Sequence, residues 1–257
     1  LTPWHNDPVT DAGGEEIFLH NEDSGQVWSP TSRPASGDPR DLSDDGAAPY
    51  RIRHGFGYSV FEHDEAAVHS ELTVFVSLDD AVKFSRLVLR NDSPRRRRLS
   101  ATGYVEWVLG DLRERNAPHI HTEIASDNGA LYARNRYSND FGDWIAFFDV
   151  DPADRVAGSV TADRDEFIGR NGSLRRPAAL RRAGLSGRTG AALDPCGAIQ
   201  AVIELAPGQS REIVFRLGMG RSADEAAELV QRHRGAGAAR ATLAAVHAHW
   251  RHALGAV

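Results

Sequence analysis

The sequence predicts an all-β fold: an antiparallel sandwich with helices confined to its end. Three observations predict it. Short runs rich in β-branched and aromatic residues recur along most of the chain, separated by turn residues. No helical periodicity precedes residue 222, so the crossovers that a parallel sheet requires are missing. A capping box, Ser222-Ala-Asp-Glu225, then opens two amphipathic stretches.

The strongest strand is Ser100–Gly110, SATGYVEWVLG. Alternation places Ala101, Gly103, Val105, Trp107 and Leu109 on one apolar face, which reads as core. Thr102, Tyr104, Glu106 and Val108 make a mixed face, as expected of a strand that lines a groove or lies under a second layer.

In chain order, residues 1–16 are turn-rich and read as loop. Ile17–Leu19 and Gln26–Trp28 form a hairpin around NEDSG, with Gly25 placed for positive φ. Residues 29–49 carry four prolines and almost nothing apolar, the composition of an exposed loop. Strands follow at Arg51–Tyr58, Ser59–His63, Glu71–Leu78 and Val82–Arg90, and the turn Asn91–Arg97 leads into the central strand. His119–Ile124, Ala130–Arg134, Trp144–Val150 and Ser159–Ala162 continue the series. Ala198–Leu205 and Arg211–Leu217 read as a hairpin across APGQ. In the first helix Ala226, Leu229, Val230 and His233 share a stripe. After the RGAGA break, Ala238–Ala253 presents Leu243, Val246, His247 and Trp250.

Composition narrows the function. The 257 residues are 41% hydrophobic and 26% charged, ordinary for a globular chain able to bury a large core. A formal charge of −6 argues against nucleic acid or an anionic membrane as a partner recruited by bulk charge. A single cysteine, Cys196, excludes an intrachain disulfide and fits a reducing compartment. No apolar run reaches the ~18 residues of a membrane span. The chain starts at Leu1 and its only methionine is Met219, so we expect a piece of something longer.

Several clusters carry potential chemistry. His119-Ile-His121-Thr-Glu123 offers two imidazoles and a carboxylate at spacing two, a weak zinc or iron candidate. With no complementary cluster in the sequence, a polar strand face is the expected reading, and no metal or cofactor is expected. Arg53–Tyr58 and Phe61–His63 combine aromatic rings, imidazoles and glycines, the mixture a sugar site uses. A buried aromatic strand with a glycine bulge is the reading that the sequence alone favours. The carboxylates of DRDEFIGRNG are neighbours on a loop rather than a facing pair, so a salt-bridged loop is expected there.

Taken together and in order, TPWHNDPVTDAGGE, QVWSPT, HGFGYSVFEH, ELTVFVSLDD, VKFSRLVLRN, TGYVEWVLG, EFIGRNGS and GLSGRTGAALDPCGAIQ resemble one family. It is the phosphorylase-like region of cyclic β-1,2-glucan synthases, related to the cellobiose and chitobiose phosphorylases and formerly grouped as glycosyltransferases. The resemblance covers residues 1 to about 235. It implies a galactose mutarotase-like β-supersandwich over residues 1–220, with further residues before it in the family. Residues 221–257 would be linker helices leading to an (α/α)6 barrel. That barrel supplies the catalytic aspartate for inverting phosphorolysis, so no catalytic residue transfers to this chain.

The resemblance further implies β-glucan or another oligosaccharide, the barrel and a second subunit as partners, with a cytoplasmic location compatible with a membrane-associated parent. Trp4, Asn6, Asp7, His54, Tyr58, Arg170 and Asn171 are the candidate sugar-side residues, chosen for polar-aromatic clustering within the family-like blocks. A non-catalytic module of a carbohydrate-active enzyme is the leading expectation. The rivals are a free-standing carbohydrate-binding module and a mutarotase-like epimerase using Glu106, Glu123, His54 and His121.

Overall fold

A computed structural model describes residues 1–3, 13–32, 48–151, 155–235 and 237–255. The strands are β1 (Glu15–Asn21), β2 (Val27–Trp28), β3 (Arg51–Gly55), β4 (Tyr58–Glu65), β5 (Val68–Val76), β6 (Val82–Asn91), β7 (Arg97–Glu106), β8 (Ile120–Ile124), β9 (Leu131–Asn135), β10 (Ile145–Val150), β11 (Arg155–Asp163), β12 (Pro195–Leu205) and β13 (Ser210–Gly220). Two short helices, α1 (Arg113–Asn116) and α2 (Arg164–Ile168), interrupt the series, and α3 (Ala223–His233) and α4 (Ala238–Leu254) close it.

Two antiparallel sheets result. One has five strands in the order β11-β12-β7-β1-β2, the other eight in the order β3-β4-β5-β6-β13-β10-β9-β8. Between them lies the main core, with Leu19, Leu99, Val105 and Trp107 meeting Leu87, Leu89, Phe148 and Phe215. Burying each such side chain is worth about 1.5–3 kcal/mol. Each sheet also carries a cover on its outer face. Phe18, Tyr104 and Cys196 pack under Phe167, Ile168, Leu180 and Leu185, whereas Phe75, Phe84, Phe147 and Val214 pack under Leu229, Val230 and Val246. The molecule therefore has four layers.

Strand β7 sits mid-sheet between β12 and β1, and its residues from Leu99 onward are buried. Its mixed face lies under the second layer, as one of the two expectations required. It begins earlier and ends earlier than the sequence suggests, because the chain turns away at Leu109, which adopts φ +42°.

Three expectations are corrected. β12 and β13 do not form a hairpin: β12 pairs with β7, and β13 pairs with β6 and β10. The APGQ turn crosses between sheets around Asn91, whose amide donates to Leu205 O at 3.0 Å while its backbone bonds to Gln209 and Gly208. The run 51–63 breaks at Phe56–Gly57 rather than after Tyr58, making a two-residue hairpin turn with Gly57 at φ +79°. DRDEFIGRNG is not all loop: Asp163 caps α2, accepting from Asp165 N at 3.1 Å.

The terminal helices form as their caps dictate. Ser222 Oγ accepts from Glu225 N at 3.2 Å, and Glu225 Oε2 accepts from Arg221 N at 2.6 Å. The stripe of Ala226, Leu229, Val230 and His233 is buried against the eight-stranded sheet. Arg216, fully buried on β13, fixes the end of α3 by donating to His233 O at 2.7 Å. Among the described residues no helix is long and apolar enough to cross a membrane.

Candidate functional site

A constellation of amides, carboxylates and exposed rings lies where β7 ends. Past Glu106 the backbone amides of Val108 and Leu109 donate to Leu1 O, and the chain swings through Gly110 into α1. Asn135, buried at the end of β9, donates to Leu109 O at 3.1 Å and to Asn116 Oδ1 at 3.0 Å. Asn116 in turn donates to Asp111 Oδ1 at 3.0 Å and Leu112 O at 2.7 Å. That amide, then the Leu112 N–H and Arg115, hold the Asp111 carboxyl below the usual carboxylate range.

This amide chain fixes one wall of a cavity of about 790 Å³, and the loop from β9 to β10 supplies the other. The loop reads RYSNDFGDW. Tyr137 stacks on His119 with ring centres 4.1 Å apart, yet remains 73% exposed. Phe141 meets Trp144 edge-on at 5.3 Å and is 52% exposed. On the loop's far side the Arg221 guanidinium lies 6.0 Å from the Trp144 ring centre. Exposed ring faces beside amides and carboxylates match sugar chemistry: rings for C–H faces, polar groups for hydroxyls.

An ionic framework stands behind the site. Glu106, nearly buried, accepts from Arg164 Nε at 3.1 Å and the Tyr104 hydroxyl at 3.3 Å, and forms an ion pair with Arg113, whose Nε lies 2.5 Å away. Both arginines also engage Asp194. The network ties α1 and the start of α2 to the five-stranded sheet. Burial pushes the Tyr104 phenol and the Cys196 thiol well up.

The candidates read from sequence are scattered. Trp4, Asn6 and Asp7 lie outside the described residues. His54 is exposed on edge strand β3, with Nδ1 2.8 Å from Ser59 Oγ. Tyr58 stands edge-on to His247 at 4.5 Å in a separate cavity of about 620 Å³ with Phe56 and Trp250. Arg170 and Asn171 are exposed in the turn after α2, on the outer cover of the five-stranded sheet. Sequence reasoning missed Tyr137, Phe141 and Trp144. The available signal was three aromatic residues spaced among Ser, Asn, Asp and Gly.

His119 is not on the strand face with His121 and Glu123: it sits in the 3₁₀ turn before β8 and stacks on Tyr137. Among the described residues no group of three or more His, Cys, Asp or Glu side chains could hold a metal. The four residues of the epimerase reading are also dispersed. Glu106 is on β7, His121 and Glu123 are on β8 at one edge of the other sheet, and His54 is on β3 at its opposite edge.

Two antiparallel sheets stacked face to face, with helices on their outer faces, define a β-supersandwich. A bacterial glucoamylase complexed with acarbose superposes with a TM-score of 0.52 at 9% identity, over 84% of this chain and 28% of that one. The chain belongs to the family described as Glycosyl hydrolase 94, supersandwich domain, which it matches over residues 1–236. It is 37% identical over 253 residues to the cyclic β-(1,2)-glucan synthase NdvB of Rhizobium meliloti (strain 1021), covering 97% of this chain and 8% of that protein. It is 26% identical over 256 residues to the N,N'-diacetylchitobiose phosphorylase of Vibrio proteolyticus, covering 97% of this chain and 30% of that protein. The chain thus spans less than a third of either relative.

Proposed function

We propose that this chain is a non-catalytic, carbohydrate-associated supersandwich module of a cyclic β-1,2-glucan synthase-like glycosyltransferase or phosphorylase. It packs against the catalytic helical barrel of its parent, supports dimer formation and handles β-glucan. The parent is an inverting glycoside phosphorylase or glycosyltransferase, and the module faces the cytoplasm.

The observation that carries the glucan-handling role is the Tyr137–Trp144 loop, whose exposed rings border a cavity braced by Asn135 and Asn116. Support for the scaffold role comes from Arg216, which binds the sheet to the helical end of the chain. The epimerase reading is disfavoured by Glu106, a carboxylate already engaged by two guanidinium groups and a phenol.

Calorimetry of the chain with linear β-1,2-linked gluco-oligosaccharides tests the binding role. Trp144→Ala and Tyr137→Ala should each weaken binding about tenfold, from the loss of ring contacts worth about 1–1.5 kcal/mol. Equal titration by wild type and both variants would remove the loop from the site. Release of sugar phosphate from β-glucan and inorganic phosphate by this chain alone would end the non-catalytic reading.

A further inference from the structure

The two sheets differ in size, and among the described residues the mismatch leaves part of an inner face uncovered. Eight strands oppose five, and the edge strand of the smaller sheet, β2, is only two residues long. Along the uncovered end the register aligns rows of side chains between the sheets. Ser59, Val74, Ser85 and Phe215 are successive cross-strand partners in one row, and Lys83, Leu217 and Phe148 in the next. Ser59, Phe61, Val74, Lys83 and Ser85 are only half-buried, although their positions would be sealed in a matched sandwich.

The space they border is a cavity of about 250 Å³. Phe61, Phe148 and Phe215 supply its aromatic lining. Lys83 Nζ reaches across it to Glu15 Oε2 of the opposite sheet at 2.7 Å, and Thr2 Oγ1 donates to Glu15 Oε1 at 2.9 Å. The hydroxyls of Ser59 and Ser85 complete the polar side. With the ammonium balanced by a carboxylate, the cavity favours a neutral polyol over an anion.

We infer that this inter-sheet cavity binds a single pyranose ring. Donors and acceptors on one side serve sugar hydroxyls, while the aromatic rings take a C–H face. The volume is below the ~300–1,000 Å³ of sites that take drug-sized ligands, so one ring enters and a chain does not. This site lies apart from the Tyr137–Trp144 loop and does not depend on the role assigned to that loop.

Lys83 is the sole lysine of the 257 residues, which gives a direct test. Its acylation by an N-hydroxysuccinimidyl acetate is followed by peptide mass, with and without methyl β-D-glucopyranoside, a glycoside unable to form a Schiff base. At sugar about ten times its Kd the acylation rate should fall about tenfold, the factor 1 + [L]/Kd. Ser85→Ala removes a hydroxyl without adding bulk, and should abolish the protection; Trp144→Ala should leave it intact. An unchanged rate in wild type would overturn the inference. So would equal protection by the acyclic polyol mannitol, or protection that is lost in Trp144→Ala and kept in Ser85→Ala. Calorimetry with longer oligosaccharides separately reports on the loop, so the two readings fail independently.

Discussion

Arg216 and Asp149 stand directly opposite each other on β13 and β10, joined by an Nη1–Oδ2 hydrogen bond of 3.0 Å with each side chain 1% exposed. A second Arg216 nitrogen donates to Asp151 at 2.8 Å and the third to the last residue of α3. Arg234, just past α3, returns to Asp149 and donates to Asn128 O at 2.7 Å. The start of the helical region is thus bound to the sheet by buried ionic contacts rather than by apolar packing alone.

Arg216→Met should cost about 3–5 kcal/mol, because removing one member of a buried pair strands its partners. Urea unfolding followed by circular dichroism measures it. A midpoint within error of wild type would mean that solvent replaces the lost donors, and the cross-link would then be dispensable.

Acid should loosen the other attachment of α3. Burial alone would raise the Asp80 pKa, but hydrogen bonds from His233 and Arg232 outweigh it and hold the carboxyl below its usual value. A depressed folded pKa contributes stability above the unfolded value of about 3.9, and that stability is lost as pH falls through the folded pKa. Melting temperatures across the acid range should therefore drop more steeply for wild type than for Asp80→Asn. Parallel curves would refute the linkage.

Tyr50 gives the alkaline counterpart. Burial, with a smaller contribution from Glu65, pushes its phenol up to about 12, while its hydroxyl donates to Ser29 O at 3.1 Å. A raised folded pKa stabilises below the unfolded value of about 10 and loses that contribution as pH rises toward the folded one. Tyr50→Phe should begin less stable by about 1 kcal/mol from the lost hydrogen bond, and should then decline less between about pH 10 and 12. Identical alkaline slopes would exclude Tyr50 as the titrating group.

Much of this architecture could be read from side-chain periodicity, because burial on a strand or helix imposes it locally. The two faces of β7 and the stripe of α3 are such cases. What could not be read depends on distant residues. The turn after β12 resembles a hairpin turn in sequence, but it is held by Asn91, over a hundred residues earlier, and its two strands pair in different sheets. The loop site was obscured for a similar reason. Trp144 precedes a strongly apolar run and reads as its first strand residue, while the stacking of His119 on Tyr137 joins the two residues that flank the open end of the β8–β9 pair. Alternation says which residues leave the core, but not which of them meet.

The meeting of the β3–β4 turn with α4 is the last relationship open to a direct test. Gly57, at φ +79°, lies against the helix so closely that an added Cβ would fall 2.5 Å from Trp250 Nε1 and 2.8 Å from Val246 Cγ1. Two penalties coincide there. A left-handed backbone costs an L-residue about 1–2 kcal/mol, and forced overpacking typically adds about 1–3 kcal/mol. Gly57→Ala should therefore destabilise the chain by about 2–5 kcal/mol and change Trp250 fluorescence as α4 is displaced from the hairpin. Asn at the same position tolerates the backbone better but keeps the clash, so Gly57→Asn should recover only a fraction of the loss. Full recovery in Gly57→Asn would assign the cost to backbone strain alone, and α4 would then not be held by this contact.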